Sequence, residues 1–343
     1  MNRRVVGWFA ILLSLVAPIA ATSIAAAQER PSERASPAPE VNPNAVVWRT
    51  AAPPARPQAG DVWVNPKDGA EMVYVAPGEF ILGTSDAQID SWLKEHPGDR
   101  REWFKDEQPQ CRVSLLGYWM GRSEVTNAQY ERFVQATGHD APGYWKGRKA
   151  PDGLGGFPLV YVSWDDASAY CAWAGDSLPT ELQWEKAARG TDGRVFRWGS
   201  QWDRTRCRNF ELITGRAYAS LDEWATAGAN WVRAHDPIRE GPTAVGSYPA
   251  GASPYGCLDM AGNVWEWCAD RWDGDAYNRY AKGDLTPPAK GDYRVIRGGS
   301  WYCGNPRLFR CAWRRYYGPD NRNVIDGFRC ARDALSEAKG GPA

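Results

Sequence analysis

The sequence has 343 residues, with 41 basic and 41 acidic side chains and a formal net charge of zero. Because it contains no long run of Lys or Arg, its charge pattern argues against a nucleic-acid partner. The 35 Gly and 25 Pro residues predict short elements and much ordered loop, while 43% apolar residues suffice for a large core. The composition therefore predicts one sizeable domain.

Residues 1–27 have the pattern of a secretory signal peptide. MNRR precedes an almost wholly apolar run, Val5–Ala21, and the small residues ATSIAAAQ follow, with Ala25 and Ala27 at the spacing that a signal peptidase requires. A retained membrane anchor is the alternative that the length of the run allows. Cleavage would place the mature protein in the periplasm or outside the cell, where the eight cysteines become candidates for disulfides.

Composition divides the remaining chain into three parts. Residues 28–60 are rich in Pro, Ala and charged side chains, which predicts a flexible or extended tether. Aromatic and β-branched residues begin at Asp61, and we predict one domain over residues 61–335. Residues 336–343 are predicted to form a disordered tail.

The first predicted elements of the domain are strands. Apolar residues alternate around a Pro-Gly turn in MVYVAPGEFILG, Met72–Gly83, which predicts a β-hairpin. The segment CRVSLLGYWMGRSEVT then predicts another strand.

Three helices follow. Thr126 is placed to cap a helix in NAQYERFVQATG, which ends at Gly138. The segment WDDASAYCAWAG has apolar residues at helical spacing. In LPTELQWEKAARG, Thr180 and Gln183 form a capping-box pair and Gly190 marks the end of the helix. Beyond Gly190 the helical signals fade, and we expect short strands, turns and Trp-rich loops.

A compact set of oxygen donors lies in GCLDMAGNVWEWCADRW. If VWEWC is extended, its acidic residue and its cysteine share one face and its two tryptophans share the other. Asp259 and Glu266 would then bracket a turn whose carbonyl oxygens, at Gly262 and Val264, complete an oxygen cage for calcium. The alternative is a Trp-packed turn whose acids cap the backbone or pair with arginines.

Several common site classes are absent from the sequence. The three histidines, His96, His139 and His235, have no metal-motif spacing, which argues against a His-ligated zinc or iron site. We find no Gly-rich phosphate loop, no nucleophile-elbow serine and no Cys paired with a nearby His. These absences disfavour nucleotide-dependent and common hydrolase activities.

The segment RGGSWYCGNPRLFRC contains Cys303 and Cys311 among several arginines. An electropositive setting makes a thiolate reactive, and two thiolates suit a monovalent copper ion. In an exported protein, a structural disulfide is the alternative. Residue chemistry alone leaves both interpretations open.

Several segments together resemble the formylglycine-generating enzyme, or sulfatase-modifying factor, family. They occur in the family's order and cover roughly residues 61–333: MVYVAPGEFILG, SEVTNAQYERFVQATGH, VSWDDASAYCAWAGDSLPTELQWEKAARG, FRWG, GNVWEWCAD, RVIRGGSWYC and GFRCAR. The resemblance implies a compact α+β domain related to C-type lectins, low in regular secondary structure and able to bind calcium. Active members of the family use molecular oxygen and copper to convert a sulfatase cysteine to formylglycine.

The resemblance also implies two calcium sites. The ligand positions of the first fall on Asp259, Gly262, Val264 and Glu266. The ligand positions of the second fall on Asn209, Phe210, Asp236 and Ile238, with an insertion rich in Ala and Trp between them.

The cysteines match the family in part. Cys171 and Cys330 match a family disulfide, and Cys311 matches a half-cystine whose partner position holds Ala188. The resemblance assigns no partner to the remaining cysteines, Cys111, Cys207, Cys257 and Cys268.

The catalytic positions of the family are only partly filled. Cys303 matches the first active-site cysteine and Ser300 the serine beside it, whereas the second active-site cysteine is replaced by Leu308. A copper ion would therefore have to use Cys303 and Cys311, and the usual two-thiolate site is not available.

The expected function is oxidative maturation of an exported protein or of a small molecule such as a siderophore, with formylglycine formation opposed by Leu308. The alternative is a non-catalytic, C-type-lectin-like binding or scaffold module. Its contact surface would comprise the segment PDNRN, residues 319–323, and five aromatic residues: Trp301, Tyr302, Trp313, Tyr316 and Tyr317. Core packing is the alternative role of these aromatics, and we expect it for at least half of them.

Overall fold

The structure, a computed structural model, describes Asn42 and residues 44–334. The predicted signal peptide, the first part of the predicted tether and the predicted tail lie outside the described residues. Within the described part of the chain, none of the helices has the length and apolar character needed to span a membrane.

Short strands and helices alternate along the described residues. The strands are β1 (Val47–Trp48), β2 (Val62–Val64), β3 (Glu71–Val75), β4 (Gly78–Leu82), β5 (Cys111–Leu115), β6 (Tyr118–Gly121), β7 (Trp265–Arg271), β8 (Arg294–Arg297), β9 (Arg315–Tyr317), β10 (Asp326–Gly327) and β11 (Ala331–Asp333). The α-helices are α1 (Asp86–Glu95), α2 (Asn127–Thr137), α3 (Trp164–Ala174), α4 (Glu181–Arg189), α5 (Phe210–Thr214), α6 (Leu221–Ala234) and α7 (Ala276–Tyr280).

The strands form three sheets, with orders β1-β2-β3-β6-β11, β10-β7-β8-β9 and β4-β5. Strand β11 pairs antiparallel with β6, which joins the end of the domain to its first sheet. Strand β1, from the segment predicted as a tether, pairs parallel with β2. The mixture of helices and small sheets agrees with the predicted α+β class.

The three predicted helices are present and begin at the predicted residues. Thr126, Ser163 and Thr180 each accept a hydrogen bond from the third residue of the helix that follows, and each helix has a complete capping box. Gly138 ends α2 in the left-handed conformation. These helices depend on local signals, which the sequence supplies directly.

The predicted hairpin over Met72–Gly83 is wrong in its pairing. Both strands exist, but β3 pairs with β2 and β6, whereas β4 pairs with β5 in a different sheet. The chain changes sheets at the Pro-Gly turn, because each strand finds a longer-range partner. The prediction that helical structure fades beyond Gly190 is also wrong, since the Ala- and Trp-rich insertion forms the 14-residue helix α6.

Strand β7 presents different chemistry on its two faces. Trp265 and Trp267 belong to the largest buried cluster, and Cys268 belongs to a second cluster. The alternation predicted for the two tryptophans is therefore present. Both faces are buried, so β7 forms the centre of the domain and positions residues of two different sites.

Candidate functional site around Cys303

Cys303 lies in a tight turn that follows β8. Gly298 and Gly299 have φ values of 101° and 79°, and a side chain at Gly299 would lie 2.7 Å from the Phe309 ring. Only glycine accommodates this turn without strain. The turn brings the Ser300 hydroxyl to 3.6 Å from the Cys303 sulfur, and both residues are buried.

Strand pairing places three further side chains on the Cys303 side of the second sheet. Asp326 lies opposite Trp265, and Arg315 lies opposite Ile296 on the neighbouring strand pair. Directly opposed residues point to the same face of a sheet, and Trp265, Ile296 and Cys303 share the largest buried cluster. The sheet therefore places the carboxyl group of Asp326, the guanidinium group of Arg315 and the indole of Trp265 on the side of the thiol.

These side chains contain buried polar atoms without partners. Asp326 Oδ2 accepts a hydrogen bond from Asn321 Nδ2 at 2.5 Å, but Asp326 Oδ1, Arg315 Nε and Trp265 Nε1 make none within the described residues. Nearly all buried polar atoms in proteins are hydrogen-bonded to protein or water. Three such atoms near one thiol indicate a site that can hold water or a polar ligand.

The electrostatics keep the isolated thiol protonated. Burial raises the pKa of Cys303 to about 11, although the hydrogen bonds with Ser300 and the charge of Arg315 lower it in part. Burial also raises the pKa of Asp326 to about 7, against the opposing influence of Arg315 and Asn321. Cys303 is therefore not an activated thiolate at neutral pH without a bound cation or a proton acceptor.

Most of the five arginines from Arg297 to Arg315 serve the fold. Four of them form buried ion pairs: Arg297 with Glu185, Arg307 with Asp99, Arg310 with Glu107 and Arg314 with Glu181. The electropositive setting expected for both cysteines is therefore largely neutralised. Arg315 is the arginine whose charge acts on Cys303.

The two candidate copper ligands pack in different clusters. Cys303 packs with Leu308 in the largest buried cluster, whereas Cys311 packs with Ala188 in the second. Leu308 is buried and supplies no metal-binding atom. Copper binding by Cys303 and Cys311 stays a prediction.

Cys171 and Cys330 lie together as the predicted disulfide requires. Their sulfur atoms are 3.2 Å apart and buried, with no bond between them in this structure. The contact joins α3 to the residue before β11. The disulfide stays a prediction.

The first predicted calcium site centres on a strained turn. Asp259 and Asn263 have φ values of 56° and 58°. Both oxygens of the buried Glu266 carboxylate are engaged, because Arg329 donates to them at 2.6 and 2.7 Å and Trp184 Nε1 donates to one at 2.6 Å. Calcium binding there would require Glu266 to exchange Arg329 for the metal.

Asp259 has a second acidic neighbour that the sequence interpretation did not include. Glu124 is buried, and its carboxyl oxygens accept no hydrogen bond from an N–H or O–H donor of the described residues. Burial and the charge of Asp259 raise the pKa of Glu124. Without a cation, burial and this repulsion favour the protonated form of Glu124. The oxygen atoms around the turn suit a cation. The Glu266 carboxylate, however, is already paired with Arg329 and is not free to bind one.

The second predicted calcium site is divided between a helix cap and an exposed turn. Asn209 caps α5: its Oδ1 accepts from Leu212 N at 2.9 Å, and its Nδ2 donates to two backbone carbonyls. Asp236 is exposed and accepts from the backbone N–H of Ile238 at 3.0 Å. Phe210 is buried in the core. This site also stays a prediction, and no group of three His, Cys, Asp or Glu side chains placed for metal binding occurs among residues 44–334.

Two of the aromatic residues expected at a contact surface are instead in the core. Trp301 is fully buried and Tyr302 is nearly so, which makes their assignment to a display surface wrong. Both pack in the largest cluster because the turn after β8 points them inward. Tyr316 is 43% exposed and remains available for contact.

Sequence reasoning missed Asp326, and it included Arg315 only among the arginines around the two cysteines. Asp326 is a single acid inside the apolar run VIDGF, and this isolation was a usable signal because buried charges are rare. Arg315 carried no comparable signal, since it follows another arginine whose role is structural.

Comparisons with known proteins assign the chain to a family. The sulfatase-modifying factor enzyme 1-like domain matches residues 58–334. The chain therefore belongs to the sulfatase-modifying factor family, and its fold is the family's α+β fold related to C-type lectins.

The relatives include enzymes with different substrates. The chain is 32% identical to a formylglycine-generating enzyme of Thermomonospora curvata, covering 77% of this chain and 94% of that protein. It is also 32% identical to a hercynine oxygenase of Mycolicibacterium smegmatis, covering 78% of this chain but only 63% of that longer protein.

Solved structures support the fold. PvdO from Pseudomonas aeruginosa matches with a TM-score of 0.57 and 26% identity, over 81% of this chain and all of that one. Treponema denticola variable protein 1 matches with a TM-score of 0.53 and 22% identity, over 80% of this chain and 98% of that one. The second likeness concerns the fold alone.

Proposed function

We propose that the protein is an exported maturation factor that oxidises a protein or a siderophore-like small molecule at the Cys303 site. The observation that carries the proposal is the buried Ser300–Cys303 pair, with its 3.6 Å contact, beside unpartnered polar atoms of Asp326 and Arg315. Similarity to a formylglycine-generating enzyme and to a hercynine oxygenase supports an oxidative reaction. The signal-peptide pattern supports export to the periplasm or beyond.

The residues of the site divide into reacting and positioning groups. Cys303 is the candidate catalytic residue, because its thiol lies beside buried polar atoms of Asp326 and Arg315 that have no partner among the described residues. Ser300 holds the thiol in one orientation, and Arg315 stabilises negative charge that develops on its sulfur. Asp326, whose pKa burial raises to about 7, can accept or release a proton near neutral pH.

Formylglycine formation itself is disfavoured by Leu308. The second thiol of the family's site is missing, and Cys311 packs against a different part of the core. We therefore place the substrate among exported proteins or siderophore-like molecules other than sulfatases.

Oxygen uptake by the exported full-length product tests the proposal. A siderophore precursor would be the candidate substrate, and a sulfatase-derived cysteine peptide would be the comparison on which little uptake is expected, each with and without added copper. Cys303→Ala should abolish uptake with the precursor, Ser300→Ala should reduce it, and Cys311→Ala should leave most of it. Equal uptake by wild type and Cys303→Ala, or no uptake with the precursor, would contradict the proposed function.

A binding module is the second candidate, favoured by one exposed aromatic patch. Tyr293 and Tyr316 are 48% and 43% exposed, and their ring centroids lie 4.9 Å apart. The Trp272 ring packs against Tyr316 with a centroid distance of 4.6 Å. If Tyr293→Ala and Tyr316→Ala leave an exported partner bound as tightly as wild type, the patch is not a contact surface.

A further inference from the structure

A cleft of about 300 Å³ lies at a place that the proposed oxidation does not use. Its walls come from α2 and the loop after it, from the residues that lead into α3 and its first turn, and from the loop between β9 and β10. Its volume is at the lower end of the range for small-molecule sites. The residues that determine its chemistry are Tyr130, His139, Asp140, Tyr161, Asp166 and Arg322.

One side of the cleft is a fixed polar network around Asp166. The Ser163 backbone N–H and hydroxyl donate to Asp166 Oδ2 at 2.9 and 2.8 Å. His139 Nε2 lies 3.0 Å from Asp166 Oδ1, and Arg322 lies 2.9 Å from Asp166 Oδ2. The negative charge of Asp166 is therefore balanced by Arg322, and its oxygens are occupied.

Two further polar groups of the cleft lining are not satisfied in this way. The Tyr130 hydroxyl is fully buried and makes no hydrogen bond within the described residues. No ion pair joins Asp140 to a cation in the described part of the chain. Two acids, Asp140 and Asp166, line the cleft against one arginine, Arg322.

The unpaired acid and the tyrosine hydroxyl act on each other. Burial raises the pKa of Tyr130, and the negative charges of Asp166 and Asp140 raise it further, against the influence of Arg322. Tyr130 therefore remains a neutral phenol, whose oxygen can accept a hydrogen bond. A ligand with N–H donors and a positive charge would satisfy both groups at once.

The remaining wall also suits a cation. Tyr161 lines the cleft and has a φ of 60°, held by a 3.0 Å hydrogen bond from its N–H to the Asn323 carbonyl. A tyrosine in this conformation is strained, and such strain persists only where the surroundings enforce it. Aromatic ring faces attract ammonium and guanidinium groups.

We infer that this cleft binds a small molecule or a substrate side chain that carries an ammonium or guanidinium group. Asp140 supplies the opposite charge, the Tyr130 oxygen accepts an N–H, and the Tyr161 ring contacts the cation. The Asp166 network fixes the geometry of the other wall. The inference does not depend on the oxidation proposed for Cys303.

Calorimetric titration of the full chain with cadaverine tests the inference. Pentane-1,5-diol is the neutral probe of matched length, and glutarate is the anionic one. Cadaverine should bind with a dissociation constant on the order of 1 mM or tighter, as expected for so small a ligand, and the other two probes should bind at least tenfold more weakly. Equal binding of the diol or of glutarate would overturn the assignment of a cation site.

Matched variants identify the residues. Asp140→Asn should weaken cadaverine binding by roughly fivefold or more, the value of one partly exposed ion pair, and Tyr130→Phe should also weaken it. Asp152→Asn is the control, because this acid is 93% exposed and pairs with Lys149 at the surface. Unchanged binding by Asp140→Asn, or equal weakening by Asp152→Asn, would refute the site. Circular dichroism of each variant separates lost binding from lost folding.

Discussion

Replacing Glu266 by Gln removes a buried negative charge and leaves Arg329 without its counter-ion. Both side chains are fully buried, and Arg329 donates two hydrogen bonds to the carboxylate, at 2.6 and 2.7 Å. Breaking a buried pair by removing one partner costs about 3–5 kcal/mol. Because domains have stabilities of only about 5–15 kcal/mol, the variant should lose a large part of its free energy of unfolding.

Urea unfolding followed by tryptophan fluorescence measures this loss. A second variant, Glu266→Gln with Arg329→Met, removes both charges and should recover part of the stability, since no unpaired charge remains. A loss below about 1 kcal/mol for the single variant, or additive losses in the double variant, would refute the reasoning.

The same measurements test the first calcium site. If Glu266 ligates calcium, added calcium should stabilise the wild-type protein but not Glu266→Gln, and a chelator should reverse the effect. Stabilisation of both proteins by the same amount would show that Glu266 is not a ligand. In that case Glu124 would be the acid to replace next.

Three further changes have defined outcomes. Gly262→Ala places a methyl group 2.1 Å from a backbone carbonyl oxygen. It should destabilise the protein by at least about 2 kcal/mol more than the control Gly153→Ala, because Gly153 has a similar φ but a methyl group there would meet open space. Equal losses in denaturant unfolding would contradict this. Burial raises the pKa of Asp326 to about 7, so folding favours the protonated carboxyl. The free energy of unfolding should therefore decline as the pH rises from about 4 to about 7, because the unfolded chain releases this proton first. Asp326→Asn should flatten that part of the stability profile, and an unchanged profile would exclude the effect. Oxidised protein should contain a Cys171–Cys330 bridge worth about 4 kcal/mol, detectable by mass spectrometry of unreduced peptides; free thiols at both positions in the exported protein would contradict it.

Local signals made the helices predictable. Thr126 and Thr180 cap their helices through contacts only three residues away, and no distant part of the chain is needed to specify them. Helix α6 had a comparable start, because Ser220 accepts a hydrogen bond from Glu223 N. Its interior also carried a usable signal, since Leu221, Trp224 and Trp231 recur at helical spacing and pack in or against the core.

Long-range pairing limited what the sequence could show. The turn after β3 resembles a hairpin turn, but the partners of its two flanking strands come from elsewhere in the chain. The same limit applies to the site. Resemblance to the family located Cys303 and Ser300, whereas Asp326 and Arg315 join them only through the register of four strands. Likewise, no spacing rule connects Glu124 to Asp259, which lies far along the chain.

The two-faced character of β7 has a consequence for how the domain assembles. A shift of one residue would move Glu266 among the aromatic rings and Trp265 towards Arg329, because successive side chains point to opposite faces. A buried unpaired carboxylate and an unpaired guanidinium would both be left, and each is costly. The strand therefore has one acceptable alignment. The packing of Trp265 on the Cys303 side of the sheet and the Glu266–Arg329 ion pair on the other side depend on the same alignment of β7. Both therefore form when the strand is correctly aligned.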